Sequence, residues 1–260
     1  MRSAPWFAVL FALSASICRA TAPVAAAPKA GAAPTLQSPP AAPIQDLIPW
    51  LLDEDRQLRG IPFRDVILET TGKKVLPIDP KNEADQRVIK VIGEVLNQVV
   101  ERMNAADSPM QKVKRINEVS SHFENMLRDL LNKAPGLSCD FPKTADDKTQ
   151  RSGYPDLQIT DQASKRVYYL DPKLYAAGGR DSTLRTFYFE PKKATNKVTA
   201  DAVHFVAGFE HEAMVAGGWK FSRWDLVDLS LFKVNLKAEF QGSNRDLYLP
   251  EAIIVTSGKE

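Results

Sequence analysis

The chain has 260 residues, 44% of them apolar and 25% charged, with 34 basic and 32 acidic side chains. This near-balance excludes the broadly basic surface by which many nucleic-acid binders are recognised, although a basic cleft on a balanced surface stays compatible. Two cysteines, Cys18 and Cys139, exclude a disulfide-dense scaffold and a cysteine-rich zinc site.

Residues 1–22 read as a secretory signal peptide. Arg2 gives the positive start, Pro5 to Ile17 the apolar core, and Ala20-Thr21-Ala22 the small-residue exit. The apolar run is short for a membrane-spanning helix, so no stable membrane insertion is expected after cleavage. Ile17 stands before Cys18 where a lipoprotein signal wants a small residue. Removing Arg2 and Arg19 takes the 34 basic residues to 34 − 2 = 32, equal to the 32 acidic ones. Residues 23–43 are an Ala/Pro-rich run too poor in apolar bulk to order itself and read as a disordered linker. One folded domain is expected over 44–260, helical over 44–135 and β-rich over 136–260.

Within the helical part, Gly60 to Gly72 reads as a short helix, with Pro62 at the first turn and Gly72 at the stop. Asn82 caps a long helix to about Asn104, its buried stripe formed by Val88, Val91, Ile92, Val95, Leu96, Val99 and Met103. Ser108-Pro109-Met110-Gln111 is a second start signal, and that helix is expected to run to about Lys133. Glu124 falls at the edge of its apolar stripe.

After Gly136 the pattern turns to short β-rich runs: Leu157–Thr160, Arg166–Asp171, Leu184–Glu190, Val203–Glu210 and Val234–Phe240. Arg223–Leu231 reads as a short helix. Leading helices followed by a meandering sheet make an α/β or α+β domain.

Two short motifs carry the chemistry. Gly153-Tyr154-Pro155-Asp156 contains the only Pro-Asp dipeptide of the chain, and Tyr168-Tyr169-Leu170-Asp171-Pro172-Lys173 follows fifteen residues later. Acid-x-Lys triplets are common, and this chain has four. Asp171 and Lys173 stand apart because they close a strand-like run, where a period of two puts both on one face. Paired carboxylates bind a hard divalent cation through oxygen, and a neighbouring lysine can orient or deprotonate a water. Glu190-Pro191-Lys192 is a rival triplet at the end of another strand-like run. Pro172 sits awkwardly in a central strand, where it removes a ladder donor.

At these residues the chain resembles the PD-(D/E)xK nuclease superfamily, with its restriction-endonuclease-like fold, over about 110–240. The resemblance implies a central mixed sheet flanked by helices. It further implies that Asp156 and Asp171 hold Mg²⁺ (Mn²⁺ substituting), that the Pro172 carbonyl is a further ligand, that Lys173 positions the attacking water, and that Glu124 is an auxiliary acid.

Other polar groups have plainer readings. Glu210, His211 and Glu212 alternate faces and cannot all converge on one ion. His204 reads as a satisfied sheet histidine, and Trp219, Phe221 and Trp224 as packing. Lys192, Lys193 and Lys197 read as a solvated loop. There is no Gly-x-Ser-x-Gly elbow and no His-Glu-x-x-His. The expectation is a secreted or periplasmic Mg²⁺-dependent nuclease acting on DNA rather than RNA, its export arguing against a restriction role. The alternative is an exported binding protein that keeps the fold without catalysis.

Overall fold

A computed structural model describes residues 44–53, 58–212, 214 and 218–257. The signal-peptide and linker readings of 1–43 lie outside the described residues. Among those described, no helix is long and apolar enough to cross a membrane.

Helix α1 spans Ile44–Asp53, and strand β1 (Ile61–Pro62) leads straight into α2 (Phe63–Thr71). Gly72 ends α2 in the left-handed region, at φ 69°, where its N–H reaches the Leu68 carbonyl at 2.8 Å. Strand β2 (Val75–Leu76) precedes α3 (Glu83–Asn104). Asn82 caps α3 as expected, its Oδ1 accepting from the N–H groups of Ala84 and Asp85 at 2.9 and 3.2 Å. Val88, Ile92, Val95, Leu96, Val99 and Met103 form its buried face.

The helix expected from Ser108 to Lys133 is broken. Ser108 does cap, but only a 3-10 turn over Pro109–Lys112; a second such turn covers Ile116–Glu118, and the α-helix α4 begins at Ser120 and ends at Leu131. The indole N–H of Trp219 donates to the Val113 carbonyl at 2.9 Å, taking an acceptor that a continuous helix would use internally.

Strands β3 (Leu137–Asp140), β4 (Leu157–Asp161), β5 (Val167–Ala176), β6 (Ala202–His211) and β7 (Phe221–Asp228) follow, then β8 (Lys233–Val234), which pairs with β1, and the short α5 (Asn244–Leu247). The main sheet is mixed and five positions wide, in the order β2-β6-β5-β4-β3, with β7 continuing along the same edge of β6 as β2. The β5–β6 pair at its centre is parallel, and β3, β4 and β5 form an antiparallel meander. The fold is therefore mixed α/β, a central mixed sheet flanked by helices.

Alternation along β5 sorts its side chains between two cores. Tyr168 and Leu170 join the large cluster under α3 and α4, whereas Val167 and Tyr169 join a smaller aromatic cluster with Phe63 and Ile67 of α2. Asp171 and Lys173 continue the second face.

Three further element readings need correction. Arg223–Leu231 is strand β7 plus a 3-10 turn, because the free edge of β6 offers antiparallel pairing from Phe205 to His211. Leu184–Glu190 is no strand: its alternating phenylalanines are half-buried without a ladder, Phe187 and Phe189 meeting the Phe63 ring edge-on at 5.2 and 5.9 Å. Of Val234–Phe240 only Val234 is in a strand, and Phe240 is exposed. Strand β3 gave no clear sequence signal.

Candidate active site

The β4–β5 hairpin builds the pocket. Its antiparallel register pairs Leu157 with Leu170, Ile159 with Tyr168 and Thr160 with Val167. One step further along the same register sets Asp156 opposite Asp171. The pairing ends at Leu170, so beyond it only β6 flanks β5. Pro172 falls in that singly flanked stretch, opposite Ala207, where a strand proline is tolerated.

Asp171 is 2% exposed, and Oδ2 lies against the Lys173 ammonium without a properly directed hydrogen bond. Lys173 keeps 30% of its side chain accessible, so this pair opens toward solvent at the lysine end. Burial pushes the Asp156 carboxyl up to about 8, helped by the charge of Asp171 and opposed by Lys173. Two acids crowded in a desolvated pocket resist ionising together.

Glu124, on α4, contributes to the same electrostatic field. Its carboxylate is held by Arg151 at 2.5 Å, and Arg151 also donates to Asn125 Oδ1 at 3.1 Å and covers the Phe141 ring at 4.0 Å. Among the described residues no three Asp, Glu, His or Cys side chains close as a metal cage. The structure thus brings together Asp156, Asp171 and Lys173, and sets Glu124 beside them in a clasp with Arg151. The rival Glu190 and Lys192 are exposed and paired with each other at 2.7 Å.

Tyr154 donates to or accepts from His204 Nδ1 at 2.6 Å, beneath this pocket. Burial drives His204 down to about 3, so the ring is neutral, as a sheet histidine. Glu210 accepts from Ser222 and Glu212 pairs with Lys220, so Glu210, His211 and Glu212 do not converge. The indole of Trp224 donates to Asn97 at 2.8 Å, a packing role.

Sequence reasoning missed Lys197. It is 1% exposed rather than solvated, and burial pulls its pKa below the usual lysine range against the opposing charges of Asp156, Asp171 and Glu124. No local pattern announces this, because the segment is folded inward by long-range bonds to Tyr169.

The donor set fits a hard divalent cation. It offers carboxyl oxygens on β5 and at the entry to β4, one of them buried without a directed hydrogen bond, whose mutual repulsion once ionised a cation would relieve.

A family model described as the type II restriction enzyme MjaV family matches residues 56–251, which contain all of these side chains. The chain is 33% identical, over 211 residues, to the type II restriction enzyme MjaV of Methanocaldococcus jannaschii; the alignment covers 76% of this chain and 89% of that relative.

Proposed function

The chain belongs to the type II restriction enzyme MjaV family, and from that premise we propose that it hydrolyses phosphodiester bonds of DNA at the pocket of Asp156, Asp171 and Lys173, with Mg²⁺ as cofactor and Mn²⁺ able to replace it. The observation that carries this reading is the cross-strand placement of Asp156 against Asp171 with the Lys173 ammonium on the same face.

Asp156 and Asp171 would hold the cation, with the Pro172 carbonyl as a further oxygen donor and Glu124 as an auxiliary acid steadied by Arg151. When bound, the cation supplies Lewis-acid polarisation of the phosphodiester and of the attacking water. Asp171 holds Lys173 by its ion pair, so the ammonium is aimed before substrate arrives. Being partly exposed, Lys173 can reach a water or a phosphate oxygen at the pocket mouth and stabilise charge as it builds there. Burial of Asp171 keeps bulk water from competing for its oxygens.

The test is cleavage of plasmid and of mixed-sequence linear DNA by the purified protein with Mg²⁺ or Mn²⁺. Defined fragments that vanish with chelator and in Asp156→Ala support the reading. Intact DNA under all these conditions leaves the non-catalytic binding protein instead.

Export is a separate proposal that rests on residues 1–22 alone. Membership of a restriction-enzyme family pulls against the expectation that export rules out a restriction role. Sequencing the mature amino terminus after cell fractionation decides between them: a start near residue 23 outside the cytoplasm keeps export, and an intact Met1 within it removes export.

A further inference from the structure

A cavity of about 250 Å³ adjoins the acid pocket and shares Lys173 with it. Tyr175, Arg180, Gly208, Phe187 and Phe232 are among its other lining residues. Lys173 and Tyr175 alternate with Leu174 on β5, so both stand on the sheet face that carries Asp171. The strand register explains the hollow. Gly208 of β6 pairs with Lys173 on one side and with Asp225 of β7 on the other. A Cβ at Gly208 would come within 3.3 Å of the Tyr175 ring, so glycine lets that ring pack close to the sheet as a wall of the cavity.

Arg180 reaches this cavity through a tight turn after β5. Gly178 is left-handed at φ 74°, the Gly179 N–H donates to the Ala176 carbonyl at 2.7 Å, and a Cβ on Gly179 would sit 2.8 Å from that oxygen. The turn brings Arg180 to Asp225. Asp225 Oδ1 accepts from Arg180 at 3.1 Å and from Arg223 at 3.0 Å, while the Tyr175 hydroxyl donates to Oδ2 at 3.1 Å. Two guanidinium groups therefore share one carboxylate, and one positive charge is left over. Arg180 gives Asp225 a single nitrogen and keeps 55% of its side chain accessible, so donors of its planar fork remain for a second anion.

We infer that this cavity is a subsite for the DNA strand next to the phosphate under attack, with the Arg180 guanidinium binding a neighbouring backbone phosphate and the apolar lining receiving the sugar of that nucleotide. Asp225 holds Arg180 at the rim before DNA arrives. Charge complementarity selects the occupant. The surplus positive charge of the Arg180–Asp225–Arg223 cluster and the Lys173 ammonium border one hollow, which suits successive phosphates of a single strand, and a planar fork of donors matches phosphate oxygens. The inference rests on the DNA-cleaving reading above and extends it beyond the acid pair.

Fluorescence anisotropy of a labelled mixed-sequence DNA duplex, with chelator present and over a salt series, reads the phosphate contact in the full chain. Arg180→Ala should bind about threefold or more weakly, with the slope of log affinity against log salt reduced by about 1. Arg180→Lys should keep the slope and recover part of the affinity, since it keeps the charge without the fork. In single-turnover cleavage of a plasmid with Mg²⁺, Arg180→Ala should raise the protein concentration that gives half the maximal rate and leave the maximal rate within about twofold. Arg102→Ala controls for overall charge: Arg102 is exposed on α3, which packs against the other face of the sheet, and its removal should match the parent. An unchanged salt slope in Arg180→Ala, a loss in Arg102→Ala equal to it, or a fall in maximal rate with binding intact overturns the subsite while the parent still cuts DNA. A parent that neither binds nor cuts duplex DNA defeats the nuclease reading and the subsite with it.

Discussion

The Tyr169 hydroxyl accepts hydrogen bonds from the backbone of Thr199 at 3.0 Å and of Ala200 at 3.2 Å, fastening the segment that enters β6 onto the strand that carries Asp171. One buried side chain thereby joins the chemistry-bearing hairpin to the crossover that delivers Lys197.

Tyr169→Phe removes that acceptor and leaves two N–H groups without it. The expected cost is about 1–3 kcal/mol, visible as a lower denaturant midpoint with little change in slope. Faster amide exchange at Thr199 and Ala200 should accompany it. Unaltered protection at both amides would refute the clasp.

Asp156→Ala and Asp171→Asn should each reduce cleavage by about 10³-fold or more, because each removes one carboxylate from the acid pair. Lys173→Met should lose about 10²-fold or more with metal affinity kept or raised, and Lys173→Arg should recover part of it. The check is single-turnover cleavage of a plasmid alongside Mn²⁺ titration. A Lys173→Met variant that cuts like the parent removes the lysine from the mechanism.

Glu124→Gln should cost far less activity than Asp156→Ala, about tenfold at most, because Glu124 is already clasped by Arg151 and shapes the field rather than closing a cage. A loss equal to that of Asp156→Ala, in the same single-turnover assay, would make Glu124 a full member of the acid set.

The raised Asp156 carboxyl predicts a pH dependence of metal-free stability. Its folded value is about 8 against an ordinary 3.8, so the folded state binds the extra proton across that window. Stability from this group is full below the ordinary value and is lost as pH climbs toward about 8. Asp156→Asn should therefore melt higher than the parent near the top of the window, with the gap closing toward the bottom. Metal binding must expel the same proton, so affinity should rise with pH through the window, and calorimetry in buffers of different ionisation enthalpy should register proton release. A variant difference that does not move with pH would contradict the crowded acid pair.

The readable half of this protein is local. Asn82 before an apolar stripe gives α3, Gly72 ends α2, and Asp171 and Lys173 share a face because strand side chains alternate. Asp156 meets Asp171 through a hairpin between neighbouring strands, so the order and spacing of the two motifs were enough to pair them. Where local signals competed with distant partners, the partners prevailed. Ser108 caps a turn, yet Trp219 draws off the carbonyl of Val113; Arg223–Leu231 has a helical look, yet the edge of β6 extends it.

Legible from the residues alone are the mixed α/β class and the placing of Asp171 and Lys173 on one face of a strand, with Asp156 across the hairpin. Long-range packing is what holds Glu124 on Arg151, leaves Glu190 and Lys192 at the surface and buries Lys197. The physical reason is range. Propensity, capping and side-chain alternation act within a few residues, whereas the β5–β6 pair is parallel and needs a long crossover. Where that crossover comes to rest, and which charges it sinks, depends on burial and hydrogen bonds to residues remote in sequence, which no short stretch of sequence encodes.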